Sequence, residues 1–322
     1  MQELAQYNAY LEKEITAIDF PQSPENLYNP LRYFLNLGGK RMRPILTLLG
    51  AELFGETKEN ALSAALSVEV FHNFTLIHDD IMDEAPLRRN QETVHTKWNQ
   101  NIAILSGDVL FVKGYQLLVK QRPEHLQALI QLFNQTAIEV CEGQQMDMDF
   151  ESRHDVSIDE YIEMIRLKTS VLLGCALEMG AVIGNASESD RKHIYSFGQN
   201  IGIAFQIQDD ILDLFADPDK FGKQVGGDVI SNKKTLLNLQ AFQLASTDQK
   251  QILEKLSTEK DLQLKIDKTK ELYEVIGARK VCEKEMEKYH LIAMKSLSEI
   301  QVEERVKQTL KSLAEFLMKR EL

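Results

Sequence analysis

The chain has 322 residues, 43% of them hydrophobic and 27% charged, with a formal net charge of −12 at pH 7. That length and apolar fraction suffice for a large buried core, and only seven prolines argue against disorder. The acidic balance excludes nonspecific attraction to nucleic acid or to an acidic membrane surface. Any anion bound here has to be met by local basic residues or bridging metal ions. Three scattered cysteines, Cys141, Cys175 and Cys282, fit neither a disulfide framework nor a structural zinc site and point to a reducing compartment.

The first twenty residues, MQELAQYNAYLEKEITAIDF, read as an amphipathic helix and match neither a signal nor a transit peptide. No apolar run approaches the roughly 20 residues of a membrane span, so a cytoplasmic protein is expected. Helical spacing of apolar residues runs through 60–83, 99–120, 124–149, 158–183, 188–215 and 278–318. Pro and Gly mark breaks at Pro21–Pro30, Gly38–Pro44, Pro86, Gly184 and Pro218–Gly227, none long enough for a flexible linker. The chain beyond about residue 245 is richer in Lys and Glu and reads as solvated amphipathic helices. The expectation is one all-α domain over residues 1–322, a bundle of long helices around a central cavity.

One short echo stands out: FTLIHDDIMD at 74–83 and FQIQDDILD at 205–213. Each closes a strongly apolar helical segment with three aspartates, Asp79, Asp80 and Asp83 in the first and Asp209, Asp210 and Asp213 in the second. At 100° per residue, positions 1, 2 and 5 of such a motif share one helix face. Three carboxylates on one face repel and do not sit ionised beside apolar turns unless cations hold them. Magnesium suits them, since it takes one or two carboxylates and completes its octahedron with water and phosphate. A single copy is equally well an exposed acidic helix end; two copies make that reading poor. Neither copy has the loop spacing or central glycine of a calcium hand. As exposed, mutually repelling groups, Asp80 and Asp210 are expected to be removable without harm to the fold.

Basic residues complete the pattern. Gly38-Gly39-Lys40-Arg41-Met42-Arg43-Pro44 puts three cations beside two glycines and ahead of a helix, and Arg88-Arg89 follows the first aspartates just past Pro86. Backbone amides at a helix start, with Lys and Arg, make an anion site.

In order, GGKRMRP, LIHDDIMDEAPLRRN, Lys168-Thr169, FQIQDDILD, Lys223 and Lys233 resemble the motifs of the trans-type isoprenyl diphosphate synthases, the polyprenyl synthetases, over roughly residues 30–235. The resemblance implies a homodimeric prenyltransferase that joins isopentenyl diphosphate to an allylic diphosphate (dimethylallyl, geranyl or farnesyl). It implies about three magnesium ions held by Asp79, Asp80, Asp83, Asp209, Asp210 and Asp213. It carries allylic-diphosphate binding to Arg88, Lys168, Lys223 and Lys233, with Thr169 and Gln206 as polar partners. Isopentenyl diphosphate falls to Lys40, Arg43, His72 and Arg89. Gln144 and Asp147 match a further motif near the metals, and His78 is read as ordering its helix. Asn90 stands where the family often has glycine, and asparagine tolerates the left-handed geometry.

The chemistry implied is ionisation of the allylic C–O bond, attack by the isopentenyl double bond and loss of a proton, in an apolar cavity that excludes water. Phe71, Phe74 and Phe205 are candidate lining residues. In the family, bulky residues at the fourth and fifth positions before the first aspartate suit a C15 product, and a bulky fifth alone suits C20. Here the fourth is Thr75 and the fifth Phe74, with Phe71 at the eighth, so C20 is expected ahead of C15. A terpene cyclase or head-to-head synthase would not need the isopentenyl site, and a non-catalytic regulatory subunit should have damaged aspartate clusters.

Overall fold

The computed structural model describes residues 2–216 and 225–318. Helices α1 (Gln2–Thr16), α2 (Glu25–Leu35), α3 (Met42–Leu53) and α4 (Lys58–Met82) lead to a two-strand ribbon, β1 (Leu87–Arg88) and β2 (Gln91–Glu92). After the short α5 (Val94–Lys97) come α6 (Gln100–Leu118) and α7 (Pro123–Ser152). Helix α8 (Ile158–Ile165) passes through a π turn (Arg166–Ser170) into α9 (Val171–Ile183), and α10 (Glu188–Phe215) follows. The remainder comprises α11 (Gly227–Ile230), α12 (Leu236–Leu244), α13 (Thr247–Ser257), α14 (Leu262–Ile276), α15 (Ala278–Glu299), a 3-10 turn (Glu304–Lys307) and α16 (Gln308–Met318). The all-α expectation holds.

Helix starts are set by short polar side chains that satisfy otherwise orphaned amides. Thr57 accepts from Asn60 N and Asn99 from Ile102 N, and Ser157 with Glu160 forms a full capping box at α8. Two sequence expectations need correction. Pro30 lies inside α2, where a break was expected; Pro30, Leu31, Phe34 and Leu35 are all buried, and burying that apolar face offsets the hydrogen bond the proline removes. The run 278–318 is interrupted: Ile300 leaves the helix in an extended conformation and is 1% exposed. Lys307 Nζ donates to Ser298 O at 3.0 Å and closes the end of α15.

Backbone proximity groups the chain into two compact units, Met1–Phe133 with Ala176–Arg191, and Asn134–Cys175 with Lys192–Leu322. In the first, α4 packs chiefly on α6 and α3, and Leu48, Val68, Phe71, Ile77 and Leu110 are each at most 1% exposed. In the second, Tyr161, Ile207, Ile211, Leu236, Tyr273 and Cys282 belong to one continuous apolar cluster. In each unit a chain of packed apolar side chains runs up to an aspartate motif.

Candidate active site

In the first unit, the glycine-rich loop is bent by Gly38 at φ +74° and Gly39 at φ +152°, conformations that favour glycine. It enters α3 through Arg41, itself left-handed at φ 45°. The three cations then part company. Arg41 is 3% exposed and bonds Glu12 Oε1 at 2.8 Å, Glu69 Oε1 at 2.6 Å and Leu35 O at 2.7 Å, so its charge is spent inside the fold. Lys40 is exposed. Arg43 Nη1 donates to His72 Nε2 at 3.0 Å. Since arginine can only donate, His72 Nε2 accepts and the ring proton sits on Nδ1. Burial first, then Arg43 and Arg89, hold the His72 pKa well below its ordinary value, so the ring is neutral. Burial lowers the Arg43 pKa to about 10. Its Nε is buried without a hydrogen-bond partner, as expected of a group built to meet an anion.

The ribbon supplies the fourth member. Arg89 and Asn90 form the two-residue turn, with φ 53° and 61°, the pattern of a type I′ hairpin. Asparagine thus does the work of the family's glycine. A Cβ placed on Gly39 would lie 3.0 Å from the Arg89 guanidinium carbon, so that guanidinium rests on the glycine loop. The fold therefore gathers Arg43, His72 and Arg89 around the loop that carries Lys40.

At the end of α4, Asp80 is 1% exposed and its Oδ1 accepts from Arg88 Nε at 2.7 Å, tying the ribbon to the helix. Its Oδ2 is buried without a partner, and burial raises its pKa. Asp79 is half-buried and Asp83 exposed. Three carboxylates at the negative end of a helix are electrostatically unfavourable without a cation. Upstream, Phe71 meets Phe74, Phe111 and Phe133 at 5.6, 5.8 and 5.1 Å between ring centroids, and Phe74 stacks on Phe111 at 5.1 Å and 25°. Thr75 Oγ1 donates back to His72 O at 2.8 Å. Phe111 went unnoticed in the sequence, although it sits in the apolar stretch of α6. His78 packs against α6: a Cβ on Gly107 would fall 2.3 Å from its Nε2, which lies 3.2 Å from Ile104 O.

In the second unit, Lys168 lies in the π turn between α8 and α9, beside Thr169, and its Nζ is 2.5 Å from Asp147 Oδ2. That gives Asp147 a definite task, holding the lysine. Asp210 is 5% exposed; its Oδ2 accepts from Tyr161 OH at 2.5 Å and from Leu236 N at 3.1 Å, and Gln206 also bonds its carboxyl. Burial pushes its pKa up to about 7, with Asp228 adding to the shift. Asp213 Oδ2 accepts from Asp228 N at 3.0 Å and its carbonyl from Gly226 N at 2.6 Å, so it anchors the segment that leads to Lys233. Lys265 clasps that segment with bonds to Ile230 O, Asn232 Oδ1 and Ser257 O. Asp209 is half-buried, Phe205 partly buried and Lys233 exposed. Lys223 lies outside the described residues. Tyr161 was missed because it stands 49 positions from its partner and carries no local signal.

The expectation that Asp80 and Asp210 are exposed and dispensable to the fold is overturned: both are buried and hold neighbouring elements. Among the described residues no three His, Cys, Asp or Glu side chains converge into a ready-made metal cage. Magnesium takes few protein ligands and leaves positions for water and phosphate, so its fit is judged on the carboxylates themselves. The unpartnered buried Asp80 oxygen fits a nearby cation. Among the described residues no helix is long and apolar enough to cross a membrane.

The chain matches the polyprenyl synthetase family pattern over residues 24–276. It is 44% identical over 224 residues to a geranylgeranyl pyrophosphate synthase of Geoglobus acetivorans, covering 69% of this chain and 70% of that protein. It is 41% identical over 239 residues to a geranylfarnesyl diphosphate synthase of Natronomonas pharaonis, covering 68% and 70%. A solved structure of a geranylgeranyl pyrophosphate synthase is 43% identical with a TM-score of 0.92, over 100% of this chain and 99% of that one. An anion-ready basic loop, two aspartate-ended helices and these likenesses agree: the chain belongs to the polyprenyl synthetase family and is a prenyltransferase.

Proposed function

We propose that this enzyme condenses isopentenyl diphosphate with an allylic diphosphate and stops at the C20 product. The observation that carries the reading is the pairing of Arg43 with a neutral His72 beside Arg89 and the Lys40 loop, an isopentenyl diphosphate site that cyclases and head-to-head enzymes do not need. Magnesium, when bound, neutralises the departing diphosphate. Asp79, Asp80, Asp83, Asp209, Asp210 and Asp213 are the candidates to hold it, with Asp210 and Asp213 also shaping the end of their helix. Arg88, Lys168 and Lys233, with Thr169 and Gln206, bind and orient the allylic diphosphate, Arg88 while its Nε holds Asp80. The allylic C–O bond breaks and its electron pair leaves with the diphosphate. The isopentenyl double bond then attacks the cation to form the new C–C bond, and the released diphosphate takes a proton from the carbon next to the new cationic centre. Apolar walls keep water from the cation.

The likeness to a solved relative over the whole length supports one domain across residues 1–322. A homodimer is supported by Leu105 and Val112 on α6 and Val119 capping its end, seven residues apart and 57%, 56% and 52% exposed. Cysteines outside any disulfide support a cytoplasmic setting.

Incubation with isopentenyl and farnesyl diphosphates plus magnesium is expected to give mainly C20. No condensation with any allylic primer would refute the proposal. Phe74→Ala, which removes the ring stacked on Phe111, should lengthen the product, read by chromatography of the dephosphorylated chains; an unchanged product would show that the floor lies elsewhere. The two substrate assignments separate kinetically. Arg43→Ala and His72→Ala should raise the KM for isopentenyl diphosphate about tenfold or more, while Lys168→Ala and Lys233→Ala act on the allylic substrate, each charge-assisted contact being worth about 1.5–3 kcal/mol. Equal effects on both substrates would undo the assignment.

A further inference from the structure

The π turn Arg166–Ser170 is gripped on two sides by glycines that the function so far does not use. A Cβ on Gly143 of α7 would lie 2.2 Å from Lys168 N and 2.7 Å from both Leu167 C and Lys168 Cα. A Cβ on Gly202 of α10 would lie 2.8 Å from Ser170 Cα and Cβ and 2.9 Å from its Oγ. Both glycines are buried, and both approaches are closer than real side chains make. A π turn carries an extra residue and swells the helix locally. Here Ser170 Oγ donates to Ile165 O at 3.1 Å across that swelling. Two flanking backbones must come close without side chains for the turn to fit, and both positions are glycine.

The surroundings show what the grip controls. One turn beyond Gly143, Asp147 holds Lys168 Nζ at 2.5 Å. One and two turns beyond Gly202 on α10 stand Gln206 and Asp210, the latter fixed by Tyr161 and Leu236 N. We infer that Gly143 and Gly202 are positioning residues which set the π turn, and through it the reach of the Lys168 ammonium toward the diphosphate of the allylic substrate. The inference rests on the reading of Lys168 as a diphosphate ligand. A methyl group at either position pushes the turn outward by a distance comparable to the clash. Displacements near 1 Å at groups that orient a reacting substrate can cost roughly 100-fold in rate.

The test is a kinetic cycle on the full-length enzyme with magnesium, comparing Gly143→Ala, Gly202→Ala, Lys168→Ala and the Gly143→Ala/Lys168→Ala pair, each checked for helical content and melting. Gly143→Ala is expected to lose roughly 100-fold in kcat with the KM for isopentenyl diphosphate unchanged. The double variant is expected to be no slower than Lys168→Ala alone, because the glycine acts through the lysine. A multiplicative loss in the double variant, or a fully active Gly143→Ala beside a damaged Lys168→Ala, would overturn the inference alone. Full turnover in Lys168→Ala would overturn the reading of the lysine and the inference with it. If Gly143→Ala does not fold, Gly202→Ala carries the same cycle from the other side of the turn. Failure of both to fold would overturn the positioning role, since the glycines would then hold the whole unit together.

Discussion

Asp79→Ala and Asp209→Ala should each cut turnover by roughly 10²–10³-fold while the melting temperature changes little. Both carboxylates are partly exposed at the ends of long helices, so removing them leaves no large cavity and relieves repulsion. The rate loss follows because stabilisation of a departing diphosphate is the main demand of this chemistry, and deleting one stabilising group in such a site costs about 10²–10³-fold. Asp210→Ala behaves differently. Its Oδ2 alone accepts both the Tyr161 hydroxyl and the Leu236 amide, and both donors would be left buried and unpaired, at about 1–3 kcal/mol each. Part of that is returned, because burial already disfavours the Asp210 carboxylate, whose pKa stands at about 7. The expected net result is lost turnover together with a lower melting temperature, about 2–4 °C for each kcal/mol. Asp210→Asn separates the two effects: an amide oxygen can accept both donors, so melting should be restored. Near-normal turnover in purified Asp79→Ala or Asp209→Ala would sink the role of these clusters as magnesium ligands.

The contrast between Asp79 and Asp210 shows where sequence stops. The two DDxxD motifs, their apolar approaches and the basic loop were legible because each is local: one helix face, one glycine turn, one pair of arginines. Helix starts at Thr57, Asn99 and Ser157 were encoded in the same local way. What was illegible is which carboxylates face inward. That depends on Tyr161, 49 residues away, and on Leu236, 26 residues away. It depends also on Arg88, whose charge could as well have pointed to solvent. Helical spacing gives the angle between residues on one helix and says nothing about what packs against it. Gly143 and Gly202 were passed over for the same reason. A glycine in a helical pattern announces a close approach only once the neighbouring backbone is in place. Pro30 was misread as a break because its local cost is evident in sequence while the burial that offsets it is not.

Arg41→Ala should be the most destabilising single change in the first unit. In sequence it is one of three equivalent cations; in the fold it is the only one of the three that is 3% exposed and bonded to two carboxylates and a carbonyl. Its partner Glu69 is 2% exposed and also accepts from Asn73 Nδ2 at 2.9 Å. Removing the guanidinium strands a buried carboxylate, and breaking a buried pair from one side typically costs 3–5 kcal/mol. At about 2–4 °C per kcal/mol the melting temperature should drop by roughly 10 °C. Arg41→Lys should recover little, because a single ammonium cannot span Glu12, Glu69 and Leu35 O as the planar fork does. Glu12→Gln should cost far less, since that side chain is one-third exposed and water can replace it. The same experiment separates two roles for the basic loop. If Arg41 held a substrate diphosphate, Arg41→Ala would raise the KM for isopentenyl diphosphate and leave melting unchanged. The geometry predicts the reverse order of effects, with lost stability first and weaker binding only as the Gly38–Arg43 loop loses its anchor.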